Sequence, residues 1–138
     1  MPLGGVNLIA VVVAVIASMA LGFVWYMALG KQWMAALGRN AEDVMQGGMG
    51  ASPTPFIWSA AMQFISAYSL ALLLPRVMGA VNLQNGLILG FHLWLGFSIT
   101  TMITNHRYQQ SKWSLTLIDG GYMLGVLLVQ GIVIGIFG

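Results

Sequence analysis

Residues 114–137 read SLTLIDGGYMLGVLLVQGIVIGIF, an apolar run broken by one carboxylate, Asp119, and one amide, Gln130. A helix needs about 20 mostly apolar residues to cross the hydrocarbon of a bilayer. This stretch meets that length, so it is expected to be a membrane-spanning helix. Three more stretches of the same kind precede it, at residues 6–29, 56–78 and 84–104. The expected fold is therefore all-α: four transmembrane helices in an antiparallel bundle, forming a single membrane domain over residues 1–138.

Composition points the same way. The 138 residues are 59% hydrophobic and 6% charged, where a soluble domain carries about a quarter charged residues. Five Lys and Arg with three Asp and Glu cannot furnish a solvated coat. Scattered as they are, the five basic residues also form no patch that tracks phosphates, so nucleic acid is not an expected partner. With no cysteine, disulfides, thiolate metal sites and cysteine nucleophiles are excluded. Ser18-Met19-Ala20 resembles a signal-peptide cleavage site. However, the segment lacks a basic start, and its apolar run continues through Trp25, so it is read as an uncleaved span.

The connections differ in length. Residues 78–83 make a tight turn, which sets the second and third spans antiparallel, and residues 105–113 form a short polar loop. The longer loop, 30–55, opens with Lys31-Gln32-Trp33-Met34-Ala35-Ala36-Leu37, which places Trp33, Met34 and Leu37 on one helical side. Such a segment suits the headgroup layer, and Gly38 should end it. Asn40, with Asp43 in the capping-box position and Gly47 as a stop, would frame a second short turn.

Four spans put both termini on one side, with Arg76 as that side's basic residue. Lys31, Arg39, Arg107 and Lys112 lie on the other. Lys and Arg are retained in the cytoplasm, so loops 30–55 and 105–113 are expected there and the termini outside. Trp25, Tyr26, Trp33, Trp58 and Trp113, with Lys31, fall at this basic face as interfacial anchors to membrane lipids.

Helices in lipid associate by close backbone approach and interhelical hydrogen bonds. Ala14, Ser18 and Gly22 form a small-residue stripe on the first span, and Gly86 with Gly90 does the same on the third. On the fourth, Gly121, Gly125, Gly131 and Gly135 gather on one side, opposite Asp119, Tyr122 and Gln130. Either both faces serve one bundle or one serves a second copy, and a homo-oligomer is the expected state.

An intramembrane carboxylate is a functional candidate by default, and Asp119 lies about 8 Å into its helix. Gln63, Thr100, Thr104, Lys112 and the Trp25-Tyr26 pair stand at reachable depths. His92, Gly96, Thr100 and Thr104 line one side of the third span, and Ser59, Gln63 and Ser66 line the second. If these stripes meet Asp119, Tyr122 and Gln130, they make a polar core or a path for a proton, cation or small solute. The competing reading is an accessory subunit of a larger membrane complex that does no chemistry. Ten methionines and two histidines suggest no metal or haem site, because no paired ligand spacing occurs and Met commonly fills apolar cores. No cofactor is expected. Templates for metalloproteases, phosphate-binding loops and nucleophile elbows are all absent, so the chain is not expected to be an enzyme.

Gly22-Phe23-Val24-Trp25-Tyr26 followed by Gly30-Lys31-Gln32-Trp33-Met34 resembles the bacterial membrane family called domain of unknown function 1761. Leu37-Gly38, Glu42-Asp43, Trp94-Leu95-Gly96-Phe97 with Thr100 and Asn105, and Leu117-Ile118-Asp119-Gly120-Gly121-Tyr122 extend the likeness over nearly the whole chain. Met27-Ala28 stands where many relatives place Ser-Pro, so the first helix should end less abruptly here. The resemblance implies four membrane helices in a bacterial inner membrane. It singles out Trp25, Tyr26, Lys31, Trp33, Asp119 and Tyr122, and implies no activity.

Overall fold

The computed structural model describes residues 5–38 and 53–138, and the described residues are all helix and turn. Among the described residues the five helices are α1 (Leu8–Ala28), α2 (Gly30–Leu37), α3 (Thr54–Met78), α4 (Leu83–Tyr108) and α5 (Trp113–Phe137). All but α2 are long and apolar enough to cross a membrane. The turn expected around Asn40, Asp43 and Gly47 lies outside the described residues, as does Arg39.

Local chemistry sets the helix ends. Asn7 caps α1, its side-chain oxygen accepting from the Ile9 and Ala10 amides at 3.1 and 3.2 Å. The same side chain donates to the Phe137 carbonyl at 2.9 Å, which ties the start of α1 to the end of α5. Only Leu29 separates α1 from α2, so the first helix runs almost directly into the short one. Gly38, at φ 73°, ends α2 in the left-handed conformation a glycine tolerates best. Gly79 at φ 84° closes α3, and Asn82 caps α4 by accepting from the Asn85 amide at 2.8 Å.

The third span is longer than expected. Residues 105–108 form the last turn of α4, so the polar loop shrinks to residues 109–112. Gln110, at φ 59°, supplies the helix stop, with its amide bonding to Arg107 and the Ser111 amide to His106 at 3.1 and 2.9 Å. These are the two bonds of a Schellman motif, here without glycine.

α4 is also irregular. Residues Trp94–Ser98 form a π-turn between the α-helical segments Leu83–Leu93 and Ile99–Tyr108. A π-turn inserts one extra residue, which rotates everything after it by about 100°.

The bundle is built around α5. Buried residues make up 44% of its most apolar stretch, against 22%, 22% and 17% for α1, α3 and α4. α5 touches every other helix, and its most extensive contact is with α4. That contact depends on glycine. A Cβ at Gly86 would collide with the Gly131 backbone, one at Gly135 with the Asn82 carbonyl, and one at Gly90 would stand 2.6 Å from the Leu127 carbonyl. Gly121 and Gly125 instead seat Trp25 and Leu21 of α1, at 3.0 and 2.8 Å from the position a Cβ would take. The glycines of α5 therefore serve two neighbours inside the bundle, and no glycine face of α5 is left vacant for a second copy.

Candidate functional site

A connected set of polar side chains occupies the half of the bundle nearer α2 and the 109–112 turn. Gln130 of α5 is fully buried, yet its amide is satisfied. It accepts from the Ser66 hydroxyl at 3.0 Å and donates to Gln63 Oε1 at 3.0 Å and to the Ser18 hydroxyl at 3.2 Å. Ser18 itself donates to the Ala14 carbonyl at 2.8 Å. From Gln63 the line continues outward, its Nε2 donating to the Tyr122 hydroxyl at 3.1 Å. Tyr122 packs edge-on against Tyr26, with ring centroids 5.2 Å apart. The Tyr26 hydroxyl donates to Asp119 Oδ1 at 2.6 Å, and its ring also meets Trp33 edge-on at 5.5 Å. Gly22 makes room for this arrangement, because a Cβ there would lie 2.8 Å from the Tyr122 hydroxyl.

Sequence reasoning expected Gln63, Tyr122, Gln130, Asp119 and the polar face of α3 to converge; Gln63, Ser66, Tyr122 and Gln130 are hydrogen-bonded together, Asp119 joins them through Tyr26, and Ser59 stays outside this set. Ser18, expected only as a small packing residue, is also a hydrogen-bonding member.

The stripe of the third span does not join them. His92, Thr100, Thr101 and Thr104 are exposed. They bond to their own helix, His92 Nδ1 to Ile88, Thr100 to Gly96, Thr101 to Phe97 and Thr104 to Thr100, at 2.7 to 3.0 Å. The phase of α4 accounts for this. Gly86 and Gly90 lie against α5, and at 100° per residue His92 falls on the far side of the helix from them. A regular helix would next bring round Phe97, Thr101 and Thr104. Past the π-turn it is Ile99 and Met102 that lie against Gly120, and His106 against Thr116. Neither Thr100 nor Thr104 partners Asp119. Nor does Lys112, whose Nζ reaches the Ala35 carbonyl of α2 at 3.4 Å.

Two indoles grip the backbone beside Asp119. Trp25 Nε1 donates to the Ile118 carbonyl at 3.0 Å, and Trp94 Nε1, carried on the π-turn, to the Gly120 carbonyl at 2.8 Å. A helical carbonyl keeps a second lone pair after its own helix bond, and Gly120-Gly121 leaves that part of α5 unshielded. Trp25, expected among the interfacial anchors, is half-buried with its indole N–H turned to the Ile118 carbonyl, and Trp33 is half-buried against Tyr26. Trp58 and Trp113, 62% and 57% exposed, and Lys31, also exposed, remain free to meet the interface.

A third group was missed because His106, Arg107 and Trp113 lie in what read as loop. Buried Thr116 receives Arg107 Nη2 at 2.8 Å and contacts His106 Nδ1 at 2.7 Å, while the Arg107 guanidinium stacks 3.6 Å over the Trp113 ring. These contacts fasten the last turn of α4 to the first of α5.

A groove of about 440 Å³ opens beside the polar line. Met19, Gly22, Phe23, Tyr26 and Met27 of α1 form one wall, Pro55, Phe56 and Ser59 of α3 the other, and Tyr122 of α5 the floor. Its volume falls within the range of about 300–1,000 Å³ typical of small-molecule sites. Asp119 is not part of the lining and stands behind Tyr26.

The polar line stops midway. Past Ser18 and Ser66, at the centres of α1 and α3, the interior is closed by Val11, Ala14, Ala67, Leu70, Leu74 and Ile134. The site is thus a polar pocket in one half of the bundle, backed by a dry core.

No curated protein and no solved structure matches this chain. A family model described as "Protein of unknown function (DUF1761)" matches residues 9–135. With four helices long and apolar enough to span a membrane and a match across nearly its full length, the chain is a multi-pass membrane protein belonging to the DUF1761 family.

Proposed function

We propose that this protein binds a small solute in the half-membrane site formed by Tyr26, Gln63, Tyr122 and the adjoining groove, without enzymatic turnover and without conducting ions. The observation that carries this reading is the abrupt end of the polar line at Gln130, Ser18 and Ser66, beyond which side chains fill the interior. A conducted ion would need polar or wet surroundings across the whole hydrocarbon layer, whereas a bound molecule needs only a concave site with a few aimed polar groups. The basic end, with Lys31, Arg107 and Lys112, is the cytoplasmic end, and both termini face outward across the bacterial inner membrane.

The test is to reconstitute the chain in liposomes under an imposed potential and to weigh the native particle in mild detergent. The expected result is no proton or potassium flux above that of empty liposomes, with a small-molecule adduct retained on the protein. An ion current abolished by Asp119→Asn would overturn the reading.

A second reading, docking to a second copy or to another membrane subunit, draws on α4. His92 faces outward about 14 Å into the helix, a depth at which an ionisable side chain in contact with lipid is costly. Cβ space at Gly96, one turn along the same face, is open. Foreign subunits in fixed ratio, or a particle of two chains, would favour this reading, and a single-chain particle would count against it.

A further inference from the structure

Resting on that solute-binding reading, we infer that the groove takes an uncharged amphiphile whose oxygen-bearing head accepts hydrogen bonds from Tyr122 and Ser59. The Tyr122 hydroxyl accepts from Gln63, so its own proton remains available, and Tyr122 forms the groove floor. Ser59 lines the groove, and its hydroxyl makes no hydrogen bond within the described part of the chain. Two hydroxyl donors therefore converge on one space, and an acceptor such as an ester carbonyl or an alcohol oxygen completes both.

Depth and charge decide what kind of head enters. Ser59 lies about 8 Å along α3 from its start, and Tyr122 about 14 Å along α5. At that depth a charged head would lose most of its hydration. Among the described residues no Lys or Arg lines the groove to neutralise an anion. Asp119, the carboxylate of the described residues, is capped by the Tyr26 hydroxyl, and Tyr26 stands between it and the groove, so a cation gains no direct partner from it. An uncharged head meets neither cost.

The walls fit an apolar tail. Phe23, Met27 and Phe56 are 69%, 68% and 66% exposed, so the groove opens sideways to the lipid between α1 and α3. Thioether side chains such as Met19 and Met27 adapt to tails of differing shape.

Three photo-crosslinking probes with one identical twelve-carbon diazirine tail test the inference: a glycerol ester, a trimethylammonium and a phosphate. Each is added to the full chain in phosphatidylcholine nanodiscs, and the labelled peptides are mapped. The glycerol ester is expected to label α1 around Phe23 and α3 around Phe56 at least about fivefold more than either charged probe, the ratio that one to two neutral hydrogen bonds supply. Tyr122→Phe keeps the ring and should cut ester labelling by about fivefold. Ser59→Trp fills the groove and should abolish labelling while the variant's thermal transition stays cooperative. Preferential labelling by the ammonium or phosphate probe, still lost in Ser59→Trp, would overturn the choice of head yet leave the solute-binding reading standing. Labelling unaffected by Ser59→Trp would overturn both.

Discussion

The two halves of this bundle are held together by opposite means. At the end formed by the termini and the turn after α3, backbones touch: Gly86 lies on Gly131, Gly90 on Leu127 and Gly135 on Asn82, around a core without polar side chains. At the basic end, side chains reach across instead, two indoles to carbonyls of α5, Tyr26 to Asp119 and Gln63 to Tyr122. Lipid supplies no hydrophobic drive between helices, so each half must draw its cohesion from dispersion or from hydrogen bonds. The contrast separates two tasks. Glycine contact leaves no room for a ligand, whereas helices joined by long polar side chains stand far enough apart to leave a groove.

The sharpest way to break this contrast is to force the dry half open. Gly86→Leu must displace the Gly131 backbone, which cannot move aside as a side chain can, and should cost about 3 kcal/mol or more. Reversible unfolding in mixed micelles, followed by tryptophan fluorescence, measures it, and a loss below about 1 kcal/mol would mean that α4 and α5 do not touch as described. Next comes the join between the halves. Gln130→Leu strips partners from Gln63, Ser66 and Ser18 at once and should destabilise by about 2 kcal/mol in the same assay.

Trp25→Phe removes both the bond to Ile118 and the outer indole edge that rests on Gly121, and about 1.5 kcal/mol should go with them. The smallest effect belongs to the outward stripe. Thr100→Val should change stability by less than about 0.5 kcal/mol, and a larger loss would place that face against protein.

Much of this was readable from the sequence, for physical reasons that differ by residue. Span lengths follow from hydropathy, and Gly38 announces the end of α2 because few other residues accept its backbone angle. Gln63, Gln130 and Asp119 stand out because an amide or carboxylate in lipid must find a partner. His92, Thr100 and Thr104 misled for the same reason. Hydroxyls and imidazoles can bond to the preceding turn of their own helix, so their presence does not prove an inward face. The π-turn at Trp94–Ser98 carries no residue pattern that marks it, and without it the inward face of α4 beyond Trp94 is misassigned. The bond from Trp25 to α5 was not readable, because the carbonyl it reaches is left open by Gly120 and Gly121 on another helix.

The central place of α5 bears on how the chain is assembled. Membrane segments emerge from the ribosome in order, so the helix that every other one leans on is the last of the four to arrive. Until it does, Ser18, Gln63 and Ser66 lack the amide that unites them, and Tyr26 lacks its carboxylate. Synthesis interrupted before Trp113 therefore leaves three inserted segments carrying uncompensated polar groups in oil, a state that quality-control proteases can tell from the finished protein.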